Sequence, residues 1–269
     1  MDKIKLIVMD MDGTLLDSDK KISSYTMDLL KRLSSDGYKL GIASGRPIIG
    51  LKRTIEALGI NSYINFMTGS NGAELYDVDK GKENCFYQLE PGIIDGIINL
   101  YAPFDLNPYV YQGENCYAYK SDATIERAAR NNHLGIVLCN LKEEIKTPQS
   151  KLVLSTPPEK MEQVEAFYEM HKSGYYRAFK SQADMFEFVH PELSKVYGIS
   201  YYCSQHGYSI EEAAAFGDTT NDIEMLMGCG TGVCMCNGTE DAKQAADIVT
   251  KYSNDENGLA RELEDILHL

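Results

Sequence analysis

Residues 5–16 read Lys-Leu-Ile-Val-Met-Asp-Met-Asp-Gly-Thr-Leu-Leu, a short apolar run that ends in two aspartates one residue apart. The run is too short for a helix and rich in β-favouring residues, so it predicts a buried strand. Positions i and i+2 of a strand point the same way, so the carboxylates of Asp10 and Asp12 can face one small volume. Gly13 lets the backbone approach a ligand closely, and Thr14 supplies a hydroxyl. Paired carboxylates suit a hard cation, or a division of labour between a nucleophile and a general acid and base.

The same aspartate pair also has purely structural explanations. Asp-x-Asp after a strand is often a turn or a helix cap. An EF-hand calcium loop counted from Asp10 fails, because its glycine position holds Leu15 and its closing glutamate position holds Lys21. A turn and a functional pair both remain open at this point, so the rest of the chain must supply the partners.

A second strand-to-helix junction follows a predicted helix over residues 23–37. The strand that begins at Tyr38 ends in Ser44-Gly-Arg-Pro47, and Pro47 fits the first turn of a helix that runs to Leu58. Ser44 therefore stands just before a helix amino terminus, where amide groups and the helix dipole favour an anion. A plain helix cap explains Ser44 equally well.

Strands and helices alternate through residues 5–76, which predicts a parallel sheet with right-handed crossovers. Ligands of such sheets gather outside the carboxyl ends of the strands. Residues 63–67 form the next predicted strand and lead into Asn71-Gly72, ordinarily a turn signal. The alternation thus predicts that the polar residues after each strand lie at one edge of the sheet.

A further apolar run, residues 213–216, follows Glu212 and ends in Gly-Asp-Thr-Thr-Asn-Asp at residues 217–222. These polar residues could merely cap the helix predicted over residues 223–227. A second strand that ends in carboxylates, like the first, favours a shared site instead. The helix predicted before this strand carries Lys195 in its first turn, where a lysine is usually just solvated.

Residues 84–190 have a different character. Tyrosines cluster in residues 108–119, whose alternation predicts a half-exposed antiparallel sheet. A helix and further strands are predicted over residues 151–189, and no strand here ends in a charged group of the earlier kind. We interpret the segment as an inserted α+β domain, and its tyrosines as sheet packing rather than a cofactor site.

Length and composition narrow the class of protein. The chain has 269 residues, 43% of them apolar, which is enough for one large core or two domains. No run of about 18 uncharged apolar residues is present, and residues 1–5 lead into a strand without a signal peptide, so we expect no membrane span and a cytoplasmic protein. Seven cysteines do not indicate a disulfide framework, and Cys229, Cys234 and Cys236 lack the spacing of a zinc site. The formal charge of −14 argues against a nucleic acid as partner, but permits a small anionic substrate beside a metal ion and a few cations.

The strand followed by Asp-x-Asp-Gly-Thr resembles the first motif of the haloacid dehalogenase superfamily, whose members are mostly phosphatases that work through an aspartyl-phosphate. Ala-Ser-Gly-Arg at residues 43–46 resembles the second motif of that family. Lys195, with Gly198 three residues on, is similar to the third motif, and Gly-Asp-x-x-Asn-Asp at residues 217–222 is similar to the fourth. Asn-Gly-Ala at residues 71–73 and the inserted domain resemble Cof-type members, whose lid is the C2B type of cap. The resemblance covers essentially the whole chain.

This resemblance implies an α/β fold: a doubly wound, Rossmann-like parallel-sheet core over residues 1–83 and 191–269, with an inserted α+β cap over residues 84–190. It implies a Mg²⁺-dependent phosphatase that hydrolyses small phosphate monoesters, such as sugar phosphates, through an aspartyl-phosphate intermediate. The expected partner is a small-molecule phosphate ester, with no nucleic acid, no membrane and no obligate protein partner.

The resemblance also implies roles for individual residues. Asp10 would attack phosphorus, while Asp12 would protonate the leaving alcohol and then deprotonate the hydrolytic water. The catalytic residues implied are Asp10, Asp12, Ser44 and Lys195. The residues implied in binding substrate or phosphate are Gly13, Thr14, Gly45, Arg46, Asn71 and Asn221. The residues implied at the metal are Asp10, Asp12 through its backbone carbonyl, Asp218 and Asp222, the last as a ligand or as a partner of one.

Two rival functions remain open. A sugar phosphomutase would share Asp10 and Asp12 but return the phosphoryl group to a sugar, so catalysed exchange between hexose phosphates would favour it. A non-enzymatic phosphometabolite sensor would be expected to have lost a catalytic aspartate, whereas this chain keeps them all. The sequence does not name the physiological ester, the cap residues that contact it or the oligomeric state.

Overall fold

The structure is a computed structural model that describes residues 4–269. Residues 1–3, part of the stretch from which the sequence predicts no signal peptide, lie outside the described residues. The chain divides into two compact units. One consists of the described residues up to Asn84 together with Ser194–Leu269, and the other is Cys85–Leu193.

The described residues form strands and helices in the following bounds. The strands are β1 (Leu6–Met9), β2 (Lys39–Ala43), β3 (Ile64–Gly69), β4 (Glu74–Asp77), β5 (Lys82–Cys85), β6 (Asn107–Gln112), β7 (Asn115–Ala118), β8 (Gly135–Leu138), β9 (Leu152–Ser155), β10 (Arg177–Gln182), β11 (Met185–Val189), β12 (Ala213–Gly217), β13 (Thr231–Cys234) and β14 (Ile248–Val249). The helices are α1 (Ser24–Ser35), α2 (Ile48–Ala57), α3 (Pro91–Tyr101), α4 (Ala123–Asn131), α5 (Leu141–Glu144), α6 (Pro158–Met170), α7 (Lys195–His206), α8 (Ile223–Gly228), α9 (Glu240–Ala245) and α10 (Gly258–Leu267). Short 3₁₀ turns occupy Ser70–Gly72, Ala102–Phe104, Ile210–Glu212, Thr220–Asp222 and Asn254–Glu256.

The first unit is built on one sheet in the order β14-β13-β12-β1-β2-β3-β4-β5. The strands from β14 to β3 are parallel, and β4 joins β3 antiparallel at one side. The chain moves from β1 outward to β2 and β3, and later returns to the other side of β1 with β12. The strand order therefore reverses between β1 and β12, which is where open parallel sheets bind ligands. The predicted α/β class with a doubly wound parallel-sheet core is confirmed.

The central strand β1 is fully buried, as its four apolar residues predict. Ile7 and Met9 pack in one core with Leu30 of α1, Leu51 of α2 and Leu263 of α10. Burial of each such side chain stabilises the fold by about 1.5–3 kcal/mol. The carboxyl end of β1 is thereby held in the middle of the sheet.

Helix α1 begins with a serine cap. Ser23 is the N-cap, and its side chain accepts a hydrogen bond from the amide of Thr26. Arg32 lies in the last turn, where a cation complements the helix dipole. The cap fixes the end of the loop that leads from β1 into this helix.

The second unit has its own sheet, in the order β10-β11-β9-β6-β7-β8. The predicted antiparallel pairing over residues 108–119 is confirmed for β6 and β7, and the pairs through β9, β11 and β10 are also antiparallel. The pair β7–β8 is parallel, which the sequence did not lead us to expect. Helix α4 lies between these two strands in the chain and provides the crossover that a parallel pair needs.

The tyrosines of this unit serve mainly in packing. Tyr109 is fully buried on one face of the sheet with Val153 and Met185, and Tyr101 is buried with Phe186 and other residues against the opposite face. Among the described residues, no helix has the length and apolar character that crossing a membrane requires.

Candidate active site

The two aspartates that follow β1 have different partners. Asp10 is buried, and its Oδ1 accepts a hydrogen bond from Lys195 Nζ at 2.6 Å. The carboxylate of Asp12 is partly exposed and accepts hydrogen bonds from Arg46 and Lys20. The side chains thus leave the same strand end but enter two distinct environments.

Lys195 joins Asp10 to Asp222. Its ammonium group also donates to Asp222 Oδ1 at 2.6 Å, and both lysine and Asp222 are essentially inaccessible to solvent. Burial disfavours the charged ammonium, but Asp10 and Asp222 outweigh this effect and raise the pKa of Lys195. Lys195 is therefore a fixed positive charge at the end of β1.

Lys195 is held in place because it is the first residue of α7. The turn after β3 packs directly against the residue before it: a Cβ on Gly72 would lie 2.0 Å from the carbonyl oxygen of Ser194. Gly72 also has a φ of +99°, so only glycine combines this backbone conformation with this close approach. The Asn-Gly turn that the sequence marks is thus part of the support of Lys195.

Asp218 follows β12, which is hydrogen-bonded to β1. Its Oδ1 accepts a hydrogen bond from the hydroxyl of Thr14 at 3.1 Å. The loop after Asp12 passes so close that a Cβ on Gly13 would lie 2.3 Å from Asp218 Oδ2. Gly13 has a φ of +87°, so both its conformation and its surroundings require glycine. The neighbouring strand ends therefore bring the first and the fourth motif into contact.

Asp222 organises the loop after β12 as well as Lys195. Its Oδ2 accepts hydrogen bonds from the amides of Asp218 and Thr219, each at 3.0 Å. Together with the bond from Lys195 to Oδ1, these contacts engage both of its carboxylate oxygens. A structural capping role and a role beside the catalytic groups are thus combined in this residue.

Asp10, Asp218 and Asp222 form a buried acidic cluster, in which one carboxylate oxygen of each lies within 4.8 Å of the others. Burial raises the pKa of Asp10, as do the charges of Asp222 and Asp218, although Lys195 opposes the shift. Burial and the charge of Asp222 likewise raise the pKa of Asp218 from 3.8 to about 7. Among the described residues, these three carboxylates lie beside the ammonium group of Lys195, so the cluster has the charge and the oxygen ligands that suit a hard divalent cation such as Mg²⁺.

The second environment is the Asp12 triad, which consists of Asp12, Arg46 and Lys20. Arg46 donates from Nε to Asp12 Oδ2 at 3.0 Å and from Nη2 to Oδ1 at 2.9 Å, which is a bidentate pair. Lys20 Nζ lies 2.9 Å from the same Oδ1. Burial raises the pKa of Asp12, but Arg46 and Lys20 outweigh it and lower the pKa overall. The interpretation of Arg46 as a phosphate-binding residue stays a prediction, and in this structure its guanidinium group binds Asp12.

Ser44 and Asn71 lie at the ends of the neighbouring strands β2 and β3. The amide of Asn71 donates to the carbonyl of Ser44 at 3.1 Å, and the amide of Arg46 donates to the Ser44 hydroxyl at 3.3 Å. Asn71 is in the left-handed conformation, and its Oδ1 accepts a hydrogen bond from Asn221 at 3.2 Å. A Cβ on Gly45 would lie 3.3 Å from the same Asn71 oxygen. Ser44, Gly45, Asn71 and Asn221 therefore adjoin one another.

The sequence predicts that the amino terminus of α2 favours an anion, and in the structure a side chain of the protein supplies that anion. The amide of Ile48 donates to Glu74 Oε2 at 2.7 Å, while the other oxygen of Glu74 accepts from Ser70 at 2.9 Å. The first amide of this helix therefore donates its hydrogen bond to a carboxylate of the protein. The phosphate-binding roles of Ser44, Gly45, Asn71 and Asn221 stay predictions.

Lys20 is a site residue that the sequence reasoning did not identify. It lies eight positions after Asp12 in a polar segment with no periodicity, and nothing in that segment indicates a fixed partner. The only available signal would have been its position in the loop that follows the aspartate pair.

Comparison with known proteins agrees with this geometry. Residues 7–263 match the model of the haloacid dehalogenase-like hydrolase family. Over 267 residues the chain is 25% identical to a 5-amino-6-(5-phospho-D-ribitylamino)uracil phosphatase of Bacillus subtilis, covering 98% of each protein. A haloacid dehalogenase-like hydrolase from Bacteroides thetaiotaomicron has 30% identity and a TM-score of 0.87, with 98% of this chain and 100% of that one covered.

A second structure from the same bacterium, described among phosphatases of the haloalkanoate superfamily, has 26% identity and a TM-score of 0.81. The match covers 99% of this chain and 96% of that one. These matches point to the same family as the order of the four motifs and the reversal of the sheet between β1 and β12. The chain belongs to the haloacid dehalogenase-like hydrolase family, and the enzyme class that its relatives support is phosphatase.

Proposed function

We propose that this chain is a Mg²⁺-dependent phosphatase that hydrolyses small phosphate monoesters through an aspartyl-phosphate on Asp10. The observation that carries the proposal is the pairing of environments at the end of β1. Asp10 lies in the buried acidic cluster beside Lys195, while Asp12 lies outside it between Arg46 and Lys20. A nucleophile and a proton carrier need such separate surroundings.

In the first step an oxygen of the Asp10 carboxylate forms a bond to phosphorus as the bond from phosphorus to the ester oxygen breaks. Asp12, in its protonated form, gives its proton to the leaving alcohol. In the second step Asp12 accepts a proton from water, the water oxygen bonds to phosphorus, and the bond from phosphorus to Asp10 breaks. The carboxylate of Asp10 is restored, inorganic phosphate leaves, and Asp12 is protonated for the next cycle.

The cation would be held by Asp10 and Asp218, the backbone carbonyl of Asp12 and, as ligand or partner, Asp222. When bound, it supplies positive charge that stabilises the negative charge of the reacting phosphoryl group. Lys195 adds a fixed positive charge, and in the proposal the Ser44 hydroxyl and the amides near it donate to phosphoryl oxygens. The side-chain amides of Asn71 and Asn221 would also donate hydrogen bonds to the phosphoryl group.

We further propose that residues 84–190 form a C2B-type cap that selects the leaving group. The second compact unit, Cys85–Leu193, interrupts the first one between the second and the third motif, which supports this interpretation. The name of the Bacillus relative supports a phosphorylated metabolite as substrate class, without fixing which one.

A panel of phosphate esters tests the proposal directly. With Mg²⁺ we expect release of inorganic phosphate from small monoesters, and with excess chelator we expect none. Calcium should inhibit, because its longer and more flexible coordination distorts the geometry of attack. Full phosphate release in chelator would contradict the metal dependence. Exchange between hexose phosphates in preference to phosphate release would support a mutase instead.

A further inference from the structure

The loop after the aspartate pair holds one residue in a strained conformation. Lys20 has a φ of +62°, which is uncommon for a residue with a side chain. The turn around it is closed by two backbone bonds, from Lys20 N to the Asp17 carbonyl and from Asp17 N to the Lys21 carbonyl, both at 3.0 Å. The Asp17 side chain also accepts from the amide of Lys21 at 2.8 Å. The turn therefore directs the Lys20 side chain in a fixed way.

A distant part of the chain holds this loop. The amide and the hydroxyl of Ser18 donate to the two oxygens of Asp255, at 2.7 and 2.8 Å, across 237 residues of sequence. Asn254 donates from Nδ2 to the carbonyl of Leu16 at 2.8 Å. The 3₁₀ turn Asn254–Glu256 thus binds the loop on the amino-terminal side of Lys20.

The stability of the fold does not explain this construction. The Lys20 side chain is 57% exposed, and exposed ion pairs contribute little to stability. Arg46, at 13% exposure, already neutralises Asp12 and binds both of its oxygens. The ammonium of Lys20 is therefore a second cation on a carboxylate that is already paired.

The second cation changes which acceptor positions of the Asp12 carboxylate are filled. A carboxylate has about four lone-pair positions, two on each oxygen. Arg46 Nη2 and Lys20 Nζ take both positions on Oδ1, whereas only Arg46 Nε binds Oδ2. Among the described residues, the position left open for proton exchange is therefore on Oδ2.

We propose that Lys20 is a positioning residue for Asp12, which blocks Oδ1 so that the proton is exchanged at Oδ2, and that Asp255 holds Lys20 in place. The proposal rests on the proposed function, because it takes Asp12 as the general acid and base. Without Lys20, water or a proton can occupy Oδ1, so that the proton is no longer confined to Oδ2.

Single-turnover kinetics with two esters of similar size test this inference. One ester has an alkyl leaving group that needs protonation, and the other has a nitrophenyl group that does not. The variants are Lys20→Met, the rescue variant Lys20→Arg, Asp255→Ala, and the control Lys21→Met, which removes the neighbouring exposed lysine. The measured quantities are the rate of leaving-group release and KM for each ester.

For Lys20→Met we expect release of the alkyl group to slow about tenfold, a part of the 10²–10⁴-fold that a general acid contributes. Release of the nitrophenyl group and both KM values should change less than about twofold. Lys20→Arg should restore most of the rate, and Asp255→Ala should show the same leaving-group dependence as Lys20→Met with a smaller loss.

Three results would overturn the inference. Lys20→Met could match Lys21→Met on both esters, both esters could slow equally, or KM could rise, which would mean that Lys20 contacts the substrate. A wild-type protein that releases neither leaving group in Mg²⁺ would instead refute the proposed function, and this inference with it.

Discussion

Asp10 and Asp12 are two residues apart on the same loop, yet their surroundings are opposite. Asp10 lies in the buried acidic cluster, where burial and neighbouring carboxylates raise its pKa. Asp12 lies in the Asp12 triad, where Arg46 and Lys20 lower its pKa. These directions hold without a cation; a divalent ion beside Asp10 would favour the ionised carboxylate that a nucleophile needs. The difference arises from partners brought by distant parts of the chain, since the two side chains are chemically identical.

Replacing each aspartate separately gives the largest expected effect. Asp10→Asn removes the nucleophile, so we expect no phosphoenzyme and no turnover, although the change is nearly isosteric. Asp12→Asn keeps the nucleophile and the backbone carbonyl, and should lower the rate about 10²–10⁴-fold. Rapid quench with a nitrophenyl ester should trap phosphate on the Asp12→Asn protein and none on the Asp10→Asn protein. Equal turnover by both variants, or label on another residue, would show that the two roles are wrongly assigned.

Lys195→Met should break the balance of charge in the buried acidic cluster. Removing one partner leaves buried carboxylates unpaired, so we expect a loss of about 3–5 kcal/mol in the free energy of unfolding, measured with urea in excess chelator. Lys39→Met is the control, because it removes a lysine whose pair with Asp79 is more exposed, and it should cost at most about 1 kcal/mol. Similar losses in the two variants would mean that the buried pairing carries no special weight.

The pH dependence of stability sharpens the comparison with a smaller effect. The pKa of Asp218 is raised from 3.8 to about 7 in the fold, so its stabilising contribution is complete below about pH 4 and is lost as pH rises through 7. In chelator, the midpoint temperature of wild type relative to Asp218→Asn should therefore fall between pH 5 and pH 8. Mg²⁺ should reverse the fall at pH 8, because it binds the ionised carboxylate. A difference that stays flat with pH, or rises, would contradict the shifted pKa of Asp218.

Local patterns in the sequence predict the parts of the site that lie at strand ends. The runs before Asp10 and Asp218 are short and apolar, and both strands belong to the central parallel sheet. The resemblance then selects Lys195 out of 26 basic residues, and the structure places it against Asp10. The topology of a parallel sheet and the order of the motifs thus predict which residues lie close together at the strand ends.

The partners of Asp12 could not be predicted in the same way. The resemblance implies phosphate binding for Arg46, which stays a prediction, and gives no role to Lys20, because the partner of a loop side chain depends on local backbone conformation. The conformation at Lys20 depends in turn on bonds from Ser18 to Asp255, 237 residues away. The parallel pair β7–β8 was missed for a related reason, since short strands of alternating character do not show whether a crossover helix lies between them.

The reversal of the sheet beside β1 has a consequence for synthesis of the protein on the ribosome. Thr14 and its partner Asp218 are 204 residues apart, which corresponds to roughly 10–40 s of translation at typical rates. Through this interval β1 can pair with β2 but not with β12, so one side of the buried central strand has no hydrogen-bonding partner. Unpaired strand edges promote association with other chains. A nascent chain of this enzyme therefore exposes its central strand until the fourth motif has been made, and the acidic cluster forms only after that strand is protected.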